Sequence, residues 1–291
     1  MKIYLASFYS PDLKKSAQRF FKQASQMGIY DSIKVFSYQD LNEDFKLYVK
    51  DLLKKGKKKG YGYWVWQTHI HQMVLSNLKE GDIYHWCDIG CHFNTKGKQR
   101  LKDYINIVSK DEIGFLGFDY KSLDNVNFSK YTFPVLPEFY YTKEDLFKYF
   151  NVQTNSKITH TPQVWGGSFF VKKTDKSMKM MEEHFEVTRN RFDLIDDEPS
   201  KFIEKSREGF IQHRHSQSVL SIIVKLANCK LLSAYESEWA LDENKHRTFL
   251  HLKNFPIIAK RDKKKNLILR FIDRQVKTFN RYKNKFKNFL K

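Results

Sequence analysis

Asp88 is the residue in this chain best placed to do chemistry. It sits in Gly81-Asp-Ile-Tyr-His-Trp-Cys-Asp88-Ile-Gly-Cys-His-Phe-Asn94, where Ile83 to Cys87 reads as a short buried strand with the carboxylate at its carboxyl end. Gly90 then lets the backbone turn closely beneath whatever that carboxylate holds. A carboxylate in this position can share a divalent cation with phosphate oxygens, because hard cations take both kinds of ligand. The competing reading is a loop aspartate that caps the helix near Gly97. Asp82, beside Gly81, reads as a turn residue.

Three further stretches carry reactive or ligand-binding residue types. Gly60-Tyr-Gly-Tyr-Trp-Val-Trp-Gln67 sets Trp64 and Trp66 beside glycines, just after the basic run Lys54–Lys59. The indoles could wall a nucleotide or sugar ring with Lys57–Lys59 near its phosphates, or they could anchor a helix in the core. His213-Arg-His-Ser-Gln217 opens an apolar helix, where unpaired N–H groups favour anions. There Arg214 or His215 could contact a phosphate or act as an acid/base, whereas the plainer reading is Ser216 as an N-cap flanked by surface polar residues. Trp165-Gly166-Gly167-Ser168 sets two glycines within the expected strand Gln163–Val171, the mark of a bulge or a close approach. His69 and His71, spaced H-x-H on a helix, point to different faces and read as packing or surface residues. His251, late in the chain, could supply a second metal ligand beside Asp88.

Strand and helix patterns alternate around these residues. Lys2–Phe8 and Ser32–Ser37 read as strands, Pro11–Met27 and Asn42–Lys55 as helices, and Tyr63–Leu78 as a third helix. After the Asp88 strand come a helix over Gly97–Ser109, a strand at Ile113–Phe118, and helices over Thr142–Phe150, Thr174–Arg189 and His213–Leu226. This alternation predicts an α/β domain with a largely parallel sheet. Open sheets of that kind bind ligands outside the carboxyl ends of their strands.

The chain has 291 residues, 41% hydrophobic and 16% aromatic, enough to build a core. Its three cysteines, Cys87, Cys91 and Cys229, make no CxxC pair, which suits a reducing cytoplasm. No apolar run is long enough to span a membrane, and Met1–Ser7 reads as a first strand rather than a secretory signal. No G-x-S-x-G, P-loop or G-x-G-x-x-G is present, which argues against a nucleophilic hydrolase or a dinucleotide-binding enzyme. The formal charge is +19, and Lys260–Lys291 carries thirteen Lys/Arg against two Asp, a net +11. In that segment Leu267, Ile268, Phe271, Ile272, Val276, Phe279, Tyr282, Phe286 and Phe289 recur every third or fourth residue, the pattern of a basic amphipathic helix. Such a helix suits an anionic membrane surface or a contact between copies of the chain. It suits nucleic acid less well, and no nucleic-acid-binding motif accompanies it.

With Gly62-Tyr-Trp-Val-Trp-Gln67, Asp88-Ile-Gly-Cys-His-Phe-Asn94, Trp165-Gly-Gly-Ser168 and His213-Arg-His-Ser-Gln-Ser218 in this order, the chain resembles bacterial capsule and lipopolysaccharide glycosyltransferase-like proteins of the GT-A superfamily. The resemblance covers residues 2 to 252. It implies a GT-A-like, Rossmann-like mixed sheet over residues 1–255, followed by the basic helix over 256–291. It further implies a nucleotide-diphosphate-sugar donor held near Ser7, Lys59, Tyr63, Trp64, Asp88 and Gly90. The acceptor, a glycan or a lipid-linked one, would lie against Trp165, Gly166, Gly167, Arg214 and Gln217, with Asp88 and His215 as catalytic residues. The superfamily's Asp-x-Asp reads Asp88-Ile89-Gly90 here, so either a Mn or Mg ion would rest on Asp88, with His251 as its second protein ligand, or the site would be metal-independent, with Lys/Arg stabilising the leaving diphosphate. Where relatives carry Asp-Gln at the helix start, this chain has Ser216-Gln217. The expected location is the cytoplasmic face of the inner membrane.

Overall fold

The structure is a computed structural model that describes residues 1–123, 126–199 and 207–261. Ten strands are assigned among them: β1 (Ile3–Phe8), β2 (Ser32–Phe36), β3 (Ile83–Cys87), β4 (His92–Phe93), β5 (Phe115–Asp119), β6 (Ser168–Lys172), β7 (Lys230–Ser233), β8 (Ala240–Leu241), β9 (Arg247–Thr248) and β10 (Ile257–Ile258). Six form one sheet in the order β2-β1-β3-β6-β5-β7. β1 runs parallel to β2 and β3, and β5 to β7, whereas β6 is antiparallel to both of its neighbours. The expected mixed, mostly parallel sheet is therefore present. Residues Met1–Arg261 form one compact unit. The basic helix expected at the C-terminus lies, from residue 262 onward, outside the described residues.

Side-chain alternation explains the layering. Leu5, Ile83 and Phe170 face one core layer with Phe20, Met27, Leu101 and Tyr104 of the helices Lys14–Met27 and Lys98–Lys110. Ala6, Tyr84, Trp86, Phe169 and Val171 face the other, against Val65–Ser76, Asp175–Asn190 and Ser216–Leu226. All five residues of β3 are buried, as a strand covered on both faces requires. Local chemistry sets the helix ends. Gly28 terminates the first helix at φ +58°, Asn42 accepts from Phe45 N at 3.0 Å, and Thr174 and Ser177 cap each other's backbone.

Several expected boundaries move for identifiable reasons. The third helix starts at Val65 rather than Tyr63, because Tyr61, Gly62, Tyr63 and Trp64 all adopt positive φ. The helix expected over His213–Leu226 starts at Ser216, since His215 has φ 55° and ψ −130°. Only Ser168–Lys172 of the expected Gln163–Val171 strand is paired as a strand, and Gly166 and Gly167 precede it. Asp82 is buried rather than a turn residue at the surface. Its carboxylate accepts from Lys2 N at 2.7 Å and Lys79 N at 3.2 Å, tying the start of β1 to that of β3.

The segment from Leu250 to Arg261 straps back over the turn that follows β3. β10 pairs antiparallel with β4, Asn94 N donates to Pro256 O at 2.8 Å, and the Asn94 amide donates to the carbonyls of Lys253 and Phe255 at 2.9 Å each. Gly97 leaves the strap no clearance, as a Cβ there would lie 2.2 Å from the backbone of Phe255 and Pro256. Gly97→Ala is thus expected to destabilise the fold by about 1–3 kcal/mol, as overpacking against backbone does, with urea unfolding as the readout.

Candidate active site

β1 lies between β2 and β3 and runs parallel to both, so the carboxyl ends of β1 and β3 stand side by side, where open α/β sheets form their ligand crevice. Asp88 follows β3 directly into that crevice. Its backbone N–H donates to Gly167 O at 2.8 Å, and Trp86 Nε1 donates to its Oδ1 at 3.2 Å. Burial pushes its pKa up to about 7, against the hydrogen bond from Trp86 and the charge of Arg261, with Glu238 adding to the rise. The capping alternative does not apply, for Asn94 caps the short turn Thr95–Gly97 and Gly97 precedes the next helix. Ser7, at the carboxyl end of β1, is fully buried and its Oγ has no hydrogen-bond partner.

Two residues beyond the expected set complete this end of the crevice. Glu238 is buried, and its Oε1 accepts from Tyr120 Oη at 3.4 Å and from the Arg261 guanidinium. Its Oε2 has no partner. Arg261 crosses above Gly90, where a Cβ would stand 3.1 Å from Arg261 Cα. The absence of a side chain at Gly90 therefore leaves space for the backbone of residue 261.

Gly166 and Gly167 form a backbone bridge between Asp88 and the Ser216–Leu226 helix. Gly167 O receives the Asp88 N–H, Gln67 Nε2 donates to Gly166 O at 3.2 Å, and Gly166 N donates to Gln217 Oε1 at 3.1 Å. Gln217 is set in turn by Gln163, whose Oε1 accepts from Gln217 Nε2 at 2.8 Å. Trp165 is buried, with its indole 2.4 Å from where a Gly167 Cβ would be. Ser216 does not cap the helix but donates to Gln67 Oε1 at 3.3 Å.

The aromatic stretch forms a second wall. Trp64 stacks on the His215 ring at 5.3 Å and Tyr63 meets its edge at 4.9 Å. His215 Nδ1 donates to Ile195 O at 2.6 Å, which leaves the Nε2 lone pair facing Asp197 Oδ1 at 3.8 Å. Burial lowers the His215 pKa from its ordinary value, so the ring is a neutral proton acceptor. Tyr61, Tyr63, Trp64 and His215 all have positive φ, a concentration of backbone strain of the kind found at functional sites. The lysines that precede this stretch do not stand free for phosphates. Lys59 pairs with Asp197 at 2.9 Å, and Lys57 with Glu198 at 2.6 Å and Asp196 at 3.5 Å. Trp66 belongs to the core, stacked on Phe8 at 4.0 Å.

Arg214 lies 3.8 Å from the Tyr141 ring centroid and 5.3 Å from that of Tyr120, on the side of Glu238. His251 Nε2 bonds Tyr235 O at 3.1 Å and the ring packs against Tyr131 and Phe133. Among the described residues, no three His, Cys, Asp or Glu converge in a group that could hold a metal ion. Glu238, the second carboxylate in electrostatic reach of Asp88, already holds a guanidinium. A cation enclosed by protein ligands does not fit this arrangement.

The sequence matches no protein-family model and no curated protein. Solved structures of similar fold include two glycosyltransferases. A glycosyltransferase involved in the glycosylation of the major capsid of PBCV-1 is 10% identical, with a TM-score of 0.45 over 89% of this chain and 92% of that one. Mouse xyloside xylosyltransferase 1 in its apo form is 9% identical, with a TM-score of 0.41 over 82% of this chain and 87% of that one. Individual residue roles follow from the geometry of this chain.

Glu238, Arg261 and Asp197 are site residues that sequence patterns do not single out, and Gln67 enters the sequence reading only as the end of a motif. Glu238 follows a short turn rather than a strand. Arg261 is one of many basic residues near the C-terminus, and Asp197 one of four acids in Asp193–Glu198. Gln67 alone had a signal, as the polar residue that ends the Gly60–Gln67 stretch.

Proposed function

We propose that this protein is a glycosyltransferase that moves a sugar from a nucleotide-diphosphate-sugar to a hydroxyl of a surface glycan, of the capsule or lipopolysaccharide kind. The observation that carries this reading is Asp88, a carboxylate of raised pKa at the carboxyl end of β3, with the unpartnered Oε2 of Glu238 in electrostatic reach of it and the unpartnered Oγ of Ser7 near the end of the neighbouring strand β1. Buried polar atoms without partners are costly, and a polyhydroxylated, phosphorylated ligand would satisfy them. Donor recognition would fall to Ser7, Asp88 and the backbone at Gly90, with the Tyr63–Trp64 wall beside them. Arg214 and Gln217, with Trp165, Gly166 and Gly167 behind them, would face the acceptor.

Transfer forms a bond between the acceptor oxygen and the sugar's anomeric carbon, and breaks the bond from that carbon to the diphosphate. The acceptor's proton would pass to His215 Nε2, whose tautomer is fixed by Ile195 O, and Asp197 would stabilise the imidazolium. Positive charge would stabilise the departing diphosphate. Among the described residues no helix is long and apolar enough to cross a membrane. The net +11 of residues 260–291 would hold the protein on an anionic inner leaflet, each surface Lys or Arg contributing on the order of 1 kcal/mol, and present it to lipid-linked acceptors.

A thermal-shift panel of UDP, GDP, CMP and their common sugars tests the reading, with Mn²⁺ and with chelator. One nucleotide class should stabilise the protein, by roughly 2.7 kcal/mol at a hundred times its Kd. The response should vanish in Asp88→Ala. Silence from every nucleotide, with tight salt-sensitive binding to RNA or DNA, would overturn it.

A further inference from the structure

We infer that Arg261 is the fixed cation of the ligand site, contacting the diphosphate in the place where a divalent ion would otherwise act. The inference rests on the transferase reading above and specifies how that site takes its anionic group.

Four observations meet at this residue. First, the backbone of Arg261 passes closely over Gly90, two residues beyond Asp88, where a Cβ would stand 3.1 Å from Arg261 Cα. A side chain at position 90 would require the backbone of residue 261 to give way by a few tenths of an ångström. Second, the strap that carries Arg261 is pinned on both sides. β10 pairs with β4 just before it, and Ala259 N donates to Ser237 O at 2.9 Å. Third, Glu238 anchors the guanidinium while only 2% of its own side chain is exposed, whereas 66% of the Arg261 side chain is exposed. The bond uses Nη2, and a guanidinium has five N–H donors in a planar fork, which leaves donors for a phosphate. Fourth, Arg261 adopts φ +53°, a left-handed conformation that a non-glycine residue holds only when its surroundings impose it.

The charges are consistent with an anionic ligand. Glu238 offsets the charge of the guanidinium, and Asp88 lies near enough to both for its proton affinity to respond to each. A phosphate arriving at Arg261 replaces water on the exposed donors and makes charge-assisted hydrogen bonds. It also favours the protonated form of Asp88, which can then donate to a phosphate or sugar oxygen. No metal is required for either step. Lysine could not reproduce this, as it offers a point charge without the fork that lets one face hold Glu238 and another hold phosphate.

Calorimetric titration of the full chain with UDP, GDP and CDP tests the inference, in EDTA and in Mn²⁺, on the wild type, Arg261→Ala and Arg261→Lys. Wild-type affinity for the preferred diphosphate should agree within about twofold between EDTA and Mn²⁺, and Arg261→Ala should weaken it at least tenfold, or about 1.4 kcal/mol. Arg261→Lys, which keeps the charge, should fall between the two, and its circular dichroism should match the wild type. Binding that requires Mn²⁺, or equal affinity in Arg261→Ala, would overturn the role of Arg261 and leave the transferase reading standing. Failure of the wild type to bind any diphosphate in either condition would overturn both.

Discussion

Asp88→Asn is expected to reduce glycosyl transfer at least a hundredfold and, at pH 8, to make the protein more stable. Both effects have one origin. Burial after β3 drives the Asp88 carboxyl pKa up to about 7, so the fold bears the cost of a desolvated carboxylate whenever that group is ionised. The folded-state pKa lies above the unfolded value of about 4, so between those limits the native state binds more protons than the unfolded chain. Stability from this group is therefore complete below about pH 4 and is lost as pH rises through about 7. Asparagine keeps the shape without the charge and escapes that loss. The wild type and Asp88→Asn should unfold alike in urea at pH 4, and the variant should be ahead by about 1–3 kcal/mol at pH 8. Equal stability at both pH values would mean that the carboxylate is comfortably solvated and not held ready for a ligand.

The largest loss of stability is expected from Glu138→Ala. Glu138 is fully buried and accepts from Thr142 Oγ1 at 2.6 Å, Gln163 Nε2 at 3.0 Å and Lys225 Nζ at 2.8 Å, as well as from Ser221. Removing it strands a buried ammonium and several donors, which typically costs about 3–5 kcal/mol. Replacing both charges, in Glu138→Leu with Lys225→Met, should recover most of that, because the desolvation of the two ions goes with them. The consequence extends to the site, since Gln163 orients Gln217 and Gln217 holds Gly166 N. Glu138→Ala should therefore weaken nucleotide-dependent stabilisation as well as lower the urea midpoint.

The sequence carries the strand–helix order clearly, because both of its signals are local. The apolar runs of β1 and β6, whose residues alternate between the two core layers, and the three-to-four spacing of apolar residues in the Lys14–Met27 helix follow from neighbours in the chain. Asp88 was legible for the same reason, as a carboxylate that ends an apolar run before a glycine. The departures fall where tertiary contacts overrule local preference. Nothing in Tyr61-Gly-Tyr-Trp64 announces four consecutive positive φ angles, which are imposed by packing of Trp64 on His215 and of Tyr63 on Phe192. The lysines beside them looked available to phosphates, yet their carboxylate partners lie about 140 residues away, at a distance that no pattern reports. Arg261 comes beside the Asp88 turn only on the strap, and Glu238 is tied to it there by their ion pair, so their place could not be read from spacing.

That strap has a consequence for how the protein is made. The turn from Asp88 to Asn94 is fastened by partners more than 150 residues later in the chain. At roughly 5–20 residues per second, a ribosome would need about 8–30 s to deliver them after Asn94 emerges. During that interval β1 and β3 can already pair, while the crevice between them stays open and its carboxylate unshielded. A nascent chain halted before Leu252 would thus carry much of the sheet without a finished site, and binding competence would be among the last properties that synthesis confers.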